Sequence, residues 1–409
     1  MGRRISRREK ATLLLALPLV LVCVTSSALA ITYVFFGAGV PQVSVLSPPS
    51  GWIGEAGQPL AVQVVVTGRG LVRSELLVDG QLVDSVSSPR VAGATVWSVA
   101  HSWLAWPAGQ HRLSARVFDI SGAVAESRSV VVAMVPGGTI AFSSNRTGPY
   151  EIYSMRTDGR ELMRLTGGEG EKRQPSCATK AGLLVASSTV GRASEIYLIE
   201  AETPSGRNLT SSLGGDYWPR WAPEERTIAF VSDRYGPSQL FLMDQDGGHQ
   251  TQLTTEEFPL EQPSWSPDGS TLLVAGQRED NWDVFSASAR DGRMTRLTDD
   301  IGQDSQPSWS PRGDEIAFTS EREGNRQIYL MRADGSDQRR ITAFPWGAEL
   351  PQWSPDGEWI LCVAYTGRGS GLDSREIYLM RRDGSDQMRL TDNAFDDTEP
   401  AWCEWQEGR

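Results

Sequence analysis

Between residues 137 and 409, short apolar runs alternate with polar turn clusters at a fixed interval. Prolines and tryptophans mark it: Pro219-Arg220-Trp221, Pro263-Ser264-Trp265, Pro307-Ser308-Trp309 and Pro351-Gln352-Trp353 stand 44 residues apart. The register continues 44 residues back to Pro175-Ser176-Cys177 and 49 forward to Pro400-Ala401-Trp402, giving six units in which Cys177 takes one tryptophan position. A period near 44 is a repeat signature. In one unit the runs Glu315 to Thr319, Ile328 to Met331 and Arg339 to Thr342 are bounded by Gly, Pro, Asp and Asn and are too short for helices. They predict strands of an antiparallel meander around each Pro-x-Trp strand. Ser266-Pro267-Asp268-Gly269 and Ser354-Pro355-Asp356-Gly357 predict one tight turn per unit, and Asp246-Gly247, Asp291-Gly292, Asp334-Gly335 and Asp383-Gly384 another. Proline presets φ near −65° and glycine admits positive φ at such corners.

Four-stranded units that are apolar on both faces bury them by stacking radially, which predicts a six-bladed β-propeller. The region opens in mid-unit at Gly138 to Ser143 and ends on Pro400-Ala401-Trp402 with no strands after it. The last strand is therefore expected to complete the first blade. The Trp-Ser-Pro-Asp-Gly core, the Ile-Ala-Phe-x-Ser and Ile-Tyr-Leu-Met strands and the Leu-Thr end resemble the WD40-like repeat of TolB-type propellers across roughly 137–409. The Gly-His and Trp-Asp pairs that recur in every true WD40 repeat do not recur here; each occurs once, at Gly248-His249 and Trp282-Asp283. TolB-type proteins contact Tol-system partners through a small α/β domain ahead of the propeller. This chain carries a different segment there, so the resemblance is confined to the propeller.

That preceding segment, 42–135, alternates apolar and polar residues in Gln42 to Leu46, Leu60 to Val66, Arg73 to Val78, His111 to Phe118 and Ser127 to Met134. About seven short strands in such a length suggest a β-sandwich. Leu77-Val78-Asp79-Gly80, Gly109-Gln110-His111-Arg112-Leu113 and Phe118-Asp119-Ile120-Ser121-Gly122 resemble bacterial Ig-like domains, which implies a stalk. Residues 1–10 form a basic tail, and 11–36 carry no charge. A helix over 12–36 would be about 37 Å long, enough to cross a membrane core. The basic tail would stay in the cytoplasm, leaving everything beyond the signal anchor extracytoplasmic, in the periplasm or at the cell surface. A cleaved signal peptide ending at Ala28-Leu29-Ala30 is the competing reading. The fold class expected is thus all-β, an Ig-like sandwich followed by a six-bladed propeller, with an N-terminal transmembrane helix.

Charge narrows the partners. Residues 136–409 hold 28 basic and 44 acidic side chains, a balance that repels nucleic acid. Of the three cysteines beyond the anchor, Cys177 has the position of a buried small hydrophobe. Cys362 and Cys403 fall on neighbouring blades, where a pairing across the closure is one arrangement and free thiols the other. The aspartates near Asp246, Asp334 and Asp383 resemble the start of a calcium loop but fit turn chemistry better, since an EF-hand also needs a distal glutamate between helices. No Gly-x-Ser-x-Gly elbow occurs. His101, His111 and His249 are scattered along the chain, so neither a triad nor a metal cluster is expected, and seven residues after Trp402 leave no space for a hydrolase domain. The expected function is a non-enzymatic, cofactor-free monomer that binds an envelope protein or peptide. A carbohydrate-binding or carbohydrate-degrading surface protein is the alternative.

Strand direction divides the loops between two faces. Those before each Pro-x-Trp and after each Ile-Ala-Phe-x-Ser strand share the top face. The former supply Tyr217, Trp218, Glu261, Gln262, Gln306, Trp346 and Glu349, the latter Arg146, Arg234, Arg278 and Arg322, with Arg368 close to register. Two readings remain open: each arginine pairs with an acid of an adjacent blade, or the face binds a partner with the aromatic residues as anchors.

Overall fold

The computed structural model describes residues 41–88, 96–178, 182–191, 193–200, 203–367 and 374–403. The expected membrane segment 11–36 and Arg368 lie outside them. Among the described residues no helix is long and apolar enough to cross a membrane.

Six four-stranded antiparallel sheets account for the repeats. Their inner strands are Glu171–Cys177, Asp216–Trp221, Leu260–Trp265, Asp304–Trp309, Ala348–Trp353 and Asp397–Cys403. Each inner strand contacts the next, and the last contacts both the fifth and the first, which closes the ring. Closure follows the expected route. Asp397–Cys403 pairs with Thr139–Ser144, Trp402 opposite Ile140, and completes the first blade.

Cys403 bonds to Cys177 of the second blade, with Cα atoms 5.2 Å apart. This corrects both cysteine expectations, for Cys177 is cross-linked and Cys403 does not pair with Cys362. Neighbouring inner strands bring the two together although 226 residues separate them in sequence. Cys362 is a free, buried thiol whose surroundings push it up to about 12 by desolvation.

The six blades are of two kinds. In the first, third and fifth, a fully buried Phe142, Phe230 or Phe318 fills the core of the second strand, whereas the others carry Ala186, Val274 and Cys362 at that place. In the same three blades Arg146, Arg234 and Arg322 lie over the phenylalanine ring and reach back to Asp397, Asp216 and Asp304, at 2.8, 3.0 and 2.7 Å. Each aspartate belongs to its arginine's own blade and not to an adjacent one. The register explains this, since Asp216 faces Ser232 across the strand pair and Arg234 follows two residues later. The other blades have Lys172, Leu260 and Ala348 where the aspartates stand, so the pairing has no acceptor there.

Between residues 42 and 135, nine strands are described rather than about seven; Trp52–Glu55, Gln81–Ser87, Val96–Leu104 and Val124–Glu126 complete the set. They form a three-stranded and a six-stranded sheet around Val62, Val64, Leu76, Leu113, Val117 and Met134. The sandwich packs directly against the ring. Ile53, Ala108, Ala133 and Val135 share one apolar cluster with Trp359, Ile377 and Trp402, while Glu55 pairs with Arg156 and the Ala108 carbonyl accepts from Arg381. Val135 leads almost directly into Thr139, so this contact lies on the bottom of the first and sixth blades, opposite the mouth.

Candidate functional site

One residue before each Pro-x-Trp, every blade has a left-handed backbone. The φ values are 59° at Gln174, 54° at Trp218, 59° at Gln262, 55° at Gln306, 58° at Leu350 and 53° at Glu399. For non-glycine residues this costs about 1–3 kcal/mol each, and surrounding structure must enforce it. A bulge between the inner and second strands accompanies it in each blade. Bulges re-aim side chains, and here they turn this position along the ring.

Four of the six side chains use that direction to tie blades together. Glu399 accepts from the Gln174 N–H at 2.9 Å, Gln174 from Trp218 at 2.9 Å, Gln262 from Gln306 at 2.9 Å and Gln306 from Leu350 at 3.0 Å. Trp218 and Leu350 have no oxygen with which to continue. The belt is therefore interrupted at two opposite points of the ring, after the third blade and after the sixth.

At the first interruption a cavity of about 370 Å³ opens between the third and fourth blades, lined by Tyr217, Trp218, Val231, Asp233, Ser238 and Glu261. The sequence seats Tyr217 there locally. A Cβ on Gly215 would fall 2.1 Å from the tyrosine hydroxyl, so the ring lies directly across a glycine. The Gly215 N–H donates to Asp233 at 2.6 Å, and the Ser238 hydroxyl donates to the Leu260 carbonyl at 3.0 Å, which fixes the two walls. Trp218 packs on the apolar cluster of Val231, Leu260 and Val274. Burial, together with the nearby Asp233, Asp216 and Glu261, raises the Tyr217 phenol above its ordinary value.

Glu261 is the chemically exposed element of this cavity. Burial pushes its carboxyl above the usual range, and among the described residues no hydrogen-bond or ion-pair partner offsets it. Its counterpart in the sixth blade, Glu349, is buried and held by Arg326 at 2.5 Å and the Tyr365 hydroxyl at 2.8 Å. Deeper in the channel the Arg220 guanidinium donates to the Pro219 carbonyl and lies 5.9 Å from the Trp218 ring. Desolvation pushes it down to about 10, against the opposing pull of Glu399.

The ten candidate residues thus separate. Tyr217, Trp218 and Glu261 line one cavity. Gln262 and Gln306 belong to the belt, Glu349 is held by Tyr365 of its own blade and by Arg326 of the fifth, and Arg234 and Arg322 are bound to buried aspartates. Trp346 is exposed beside Gly367, and Arg278 is exposed with its guanidinium 6.0 Å from the Phe258 ring. Asp233 and Ser238 were not expected; polar residues occupy Asp233's place in every odd blade, as Asn145 and Glu321 do, so nothing in the sequence singles it out.

A second cavity, of about 230 Å³, lies on the bottom face among Trp265, Trp309, Trp353 and the Ser-Pro turns that follow them. The histidine reading also changes in the sandwich. Ser74 Oγ lies 2.8 Å from His101 Nε2, and His101 Nδ1 lies 3.1 Å from Asp84. This is the order of a hydrolytic triad, but Ser74 and His101 are 0% and 1% exposed, so no substrate reaches the hydroxyl. Among the described residues no three His, Cys, Asp or Glu side chains are grouped to hold a metal ion.

A family model described as the TolB beta propeller domain matches residues 258–370, the stretch that carries the fourth and fifth blades and part of the sixth. The propeller is TolB-like. Two solved structures extend the likeness over the ring. The TolB candidate from Agrobacterium tumefaciens is 24% identical with a TM-score of 0.52, covering 63% of this chain and 90% of that one. TolB from Acinetobacter baumannii is 18% identical with a TM-score of 0.56, covering 73% and 80%. A chain of a nidogen/laminin complex, 8% identical, superposes with a TM-score of 0.51 over 66% of this chain and 100% of that one. At such identities the likeness establishes the fold of the TolB-like ring and not its ligand. No curated protein sequence matches the chain.

Proposed function

We propose that this protein is a non-enzymatic scaffold of the cell envelope, anchored through residues 11–36, whose TolB-like propeller binds a protein or peptide at its top mouth as a monomer. The observation that carries the reading is the cavity between the third and fourth blades. It combines two aromatic side chains with convergent polar groups, the composition of a binding pocket and of interface hot spots. It also lies where the inter-blade belt lapses, while the bottom of the first and sixth blades is taken up by the sandwich. The sandwich, in this reading an Ig-like domain, fixes the ring's orientation rather than contributing the ligand site. The Cys177–Cys403 bond supports an oxidising, extracytoplasmic location, where such bonds persist.

A second reading, carbohydrate binding, draws support from the bottom cavity, whose three tryptophans offer apolar faces for stacking. Short random peptides selected on the full-length chain distinguish the two. Hydrogen-exchange protection at Tyr217–Trp218 and Asp233–Ser238 is expected. Protection only at the turns after Trp265, Trp309 and Trp353 would remove the mouth as the site.

A further inference from the structure

Around the ring, the position two before each Pro of Pro-x-Trp holds Arg173, Tyr217, Glu261, Ser305, Glu349 and Thr398, of which Glu349 and Thr398 are buried. Every charge in this layer except one is matched. Arg173 pairs with Glu399 at 3.0 Å and lies over the Tyr150 ring, and Glu349 has Arg326. Among the described residues Glu261 has no counter-charge; it lines the cavity with Tyr217 and Trp218 of the third blade, where Asp233 adds a second carboxylate. Arg220, the nearest step down the channel on the third blade, forms no ion pair with Glu261.

A partly desolvated carboxylate without a partner is costly, and the cost is relieved when a cation enters. Tyrosine and tryptophan faces attract the same cation through their ring quadrupoles. An anionic ligand would meet Glu261 and Asp233 without compensation, and an apolar one would leave Glu261 both buried and unpaired. Resting on the reading of the mouth as a peptide site, we infer that the cavity between the third and fourth blades is a subsite for a basic side chain, lysine or arginine, of the bound peptide. Its ammonium or guanidinium pairs with Glu261 between Tyr217 and Trp218, and Asp233 stands at the rim.

The same chemistry would accept a free amine, so the test has two arms on the full-length chain. In the first, tryptophan fluorescence follows titration with N-acetyl-lysine methylamide and with its neutral isostere N-acetyl-norleucine methylamide. The lysine probe is expected to bind about tenfold more tightly, a preference that falls to near unity in Glu261→Gln while the melting temperature holds. In the second, peptides selected at the mouth are resynthesised with each lysine or arginine replaced by norleucine, and one such replacement is expected to reproduce the loss. Equal binding of the two probes, or a lysine preference that survives Glu261→Gln, overturns the cation subsite. Selected peptides that need Tyr217 and Trp218 but no basic residue overturn it too, while leaving the mouth a peptide site. Lysine-probe binding that depends on Glu261, with no peptide selected, retains the cation site as one for free amines and overturns the peptide reading.

Discussion

Trp218 in the third blade and Gln306 in the fifth occupy one repeat position with one backbone conformation, φ 54° and 55°, and do opposite things with it. Gln306 accepts from the Leu350 N–H at 3.0 Å and from the Thr319 hydroxyl at 2.7 Å, which ties the fifth blade to the sixth. Trp218 donates its N–H to Gln174 at 2.9 Å but offers no side-chain acceptor to the next blade, and beyond it the cavity opens. The strained bulge is thus a property of the ring, present in all six blades, and the side chain placed on it decides between cohesion and an accessible site. In a repeat protein the departures from the repeat carry the information about function.

The largest expected effect comes from breaking the ring where it closes. Deleting residues 399–409 removes the Glu399 link, Trp402 and the Cys177–Cys403 bond together. Loss of the partly buried Trp402 costs up to about 3–5 kcal/mol and loss of a native disulfide about 2–5 kcal/mol. The truncated chain should aggregate or show no cooperative melt. Next in size is the odd-blade clamp. Arg234→Met leaves Asp216, whose side chain is 0% exposed, without its cation and should cost about 3–5 kcal/mol in denaturant unfolding.

The belt itself is tested by a reciprocal pair. Gln306→Leu removes the acceptor of both the Leu350 N–H and the Thr319 hydroxyl, leaves the Leu350 N–H only the Thr319 oxygen at 3.2 Å, and should cost about 1–3 kcal/mol. Trp218→Gln offers Gln262 the acceptor that the third blade lacks, so it should change stability by less than about 1 kcal/mol while abolishing ligand binding. Equal destabilisation by both would show that the two positions do the same work. Smallest is Arg278→Met, which pairs with no acid among the described residues and should lie within about 0.5 kcal/mol of the parent.

The comparison also shows which parts of the molecule could be read in advance. The 44-residue spacing of Pro-x-Trp determines the six sheets, and the orphan strand at Pro400 determines closure, because both are matters of strand count and order. The alternation of blade types was not legible in the arginine spacing, because Arg278 continues the 44-residue register from Arg234 into the fourth blade. The odd-blade arginines pair within their own blades because antiparallel register brings the loop after the second strand back over its own inner strand. The left-handed belt was hidden for a different reason. Neither tryptophan, leucine nor glutamine favours positive φ, so the conformation is imposed by the ring and not by local preference. The Cys177–Cys403 bond depends on a Cα separation that no spacing along the chain supplies. Within the site, Tyr217, Trp218 and Glu261 stood out as aromatic and acidic members of the top loops, whereas Asp233 and Ser238 join them only through the hairpin geometry of the third blade.

The most direct test is a calorimetric titration of a mouth-selected peptide into the full-length chain and into its Tyr217→Ala/Trp218→Ala double variant. The account predicts a loss of more than about 2 kcal/mol in binding free energy, the range of interface hot spots, with a melt that stays cooperative although lowered by the lost packing of Trp218. Unaltered affinity in the double variant would contradict it.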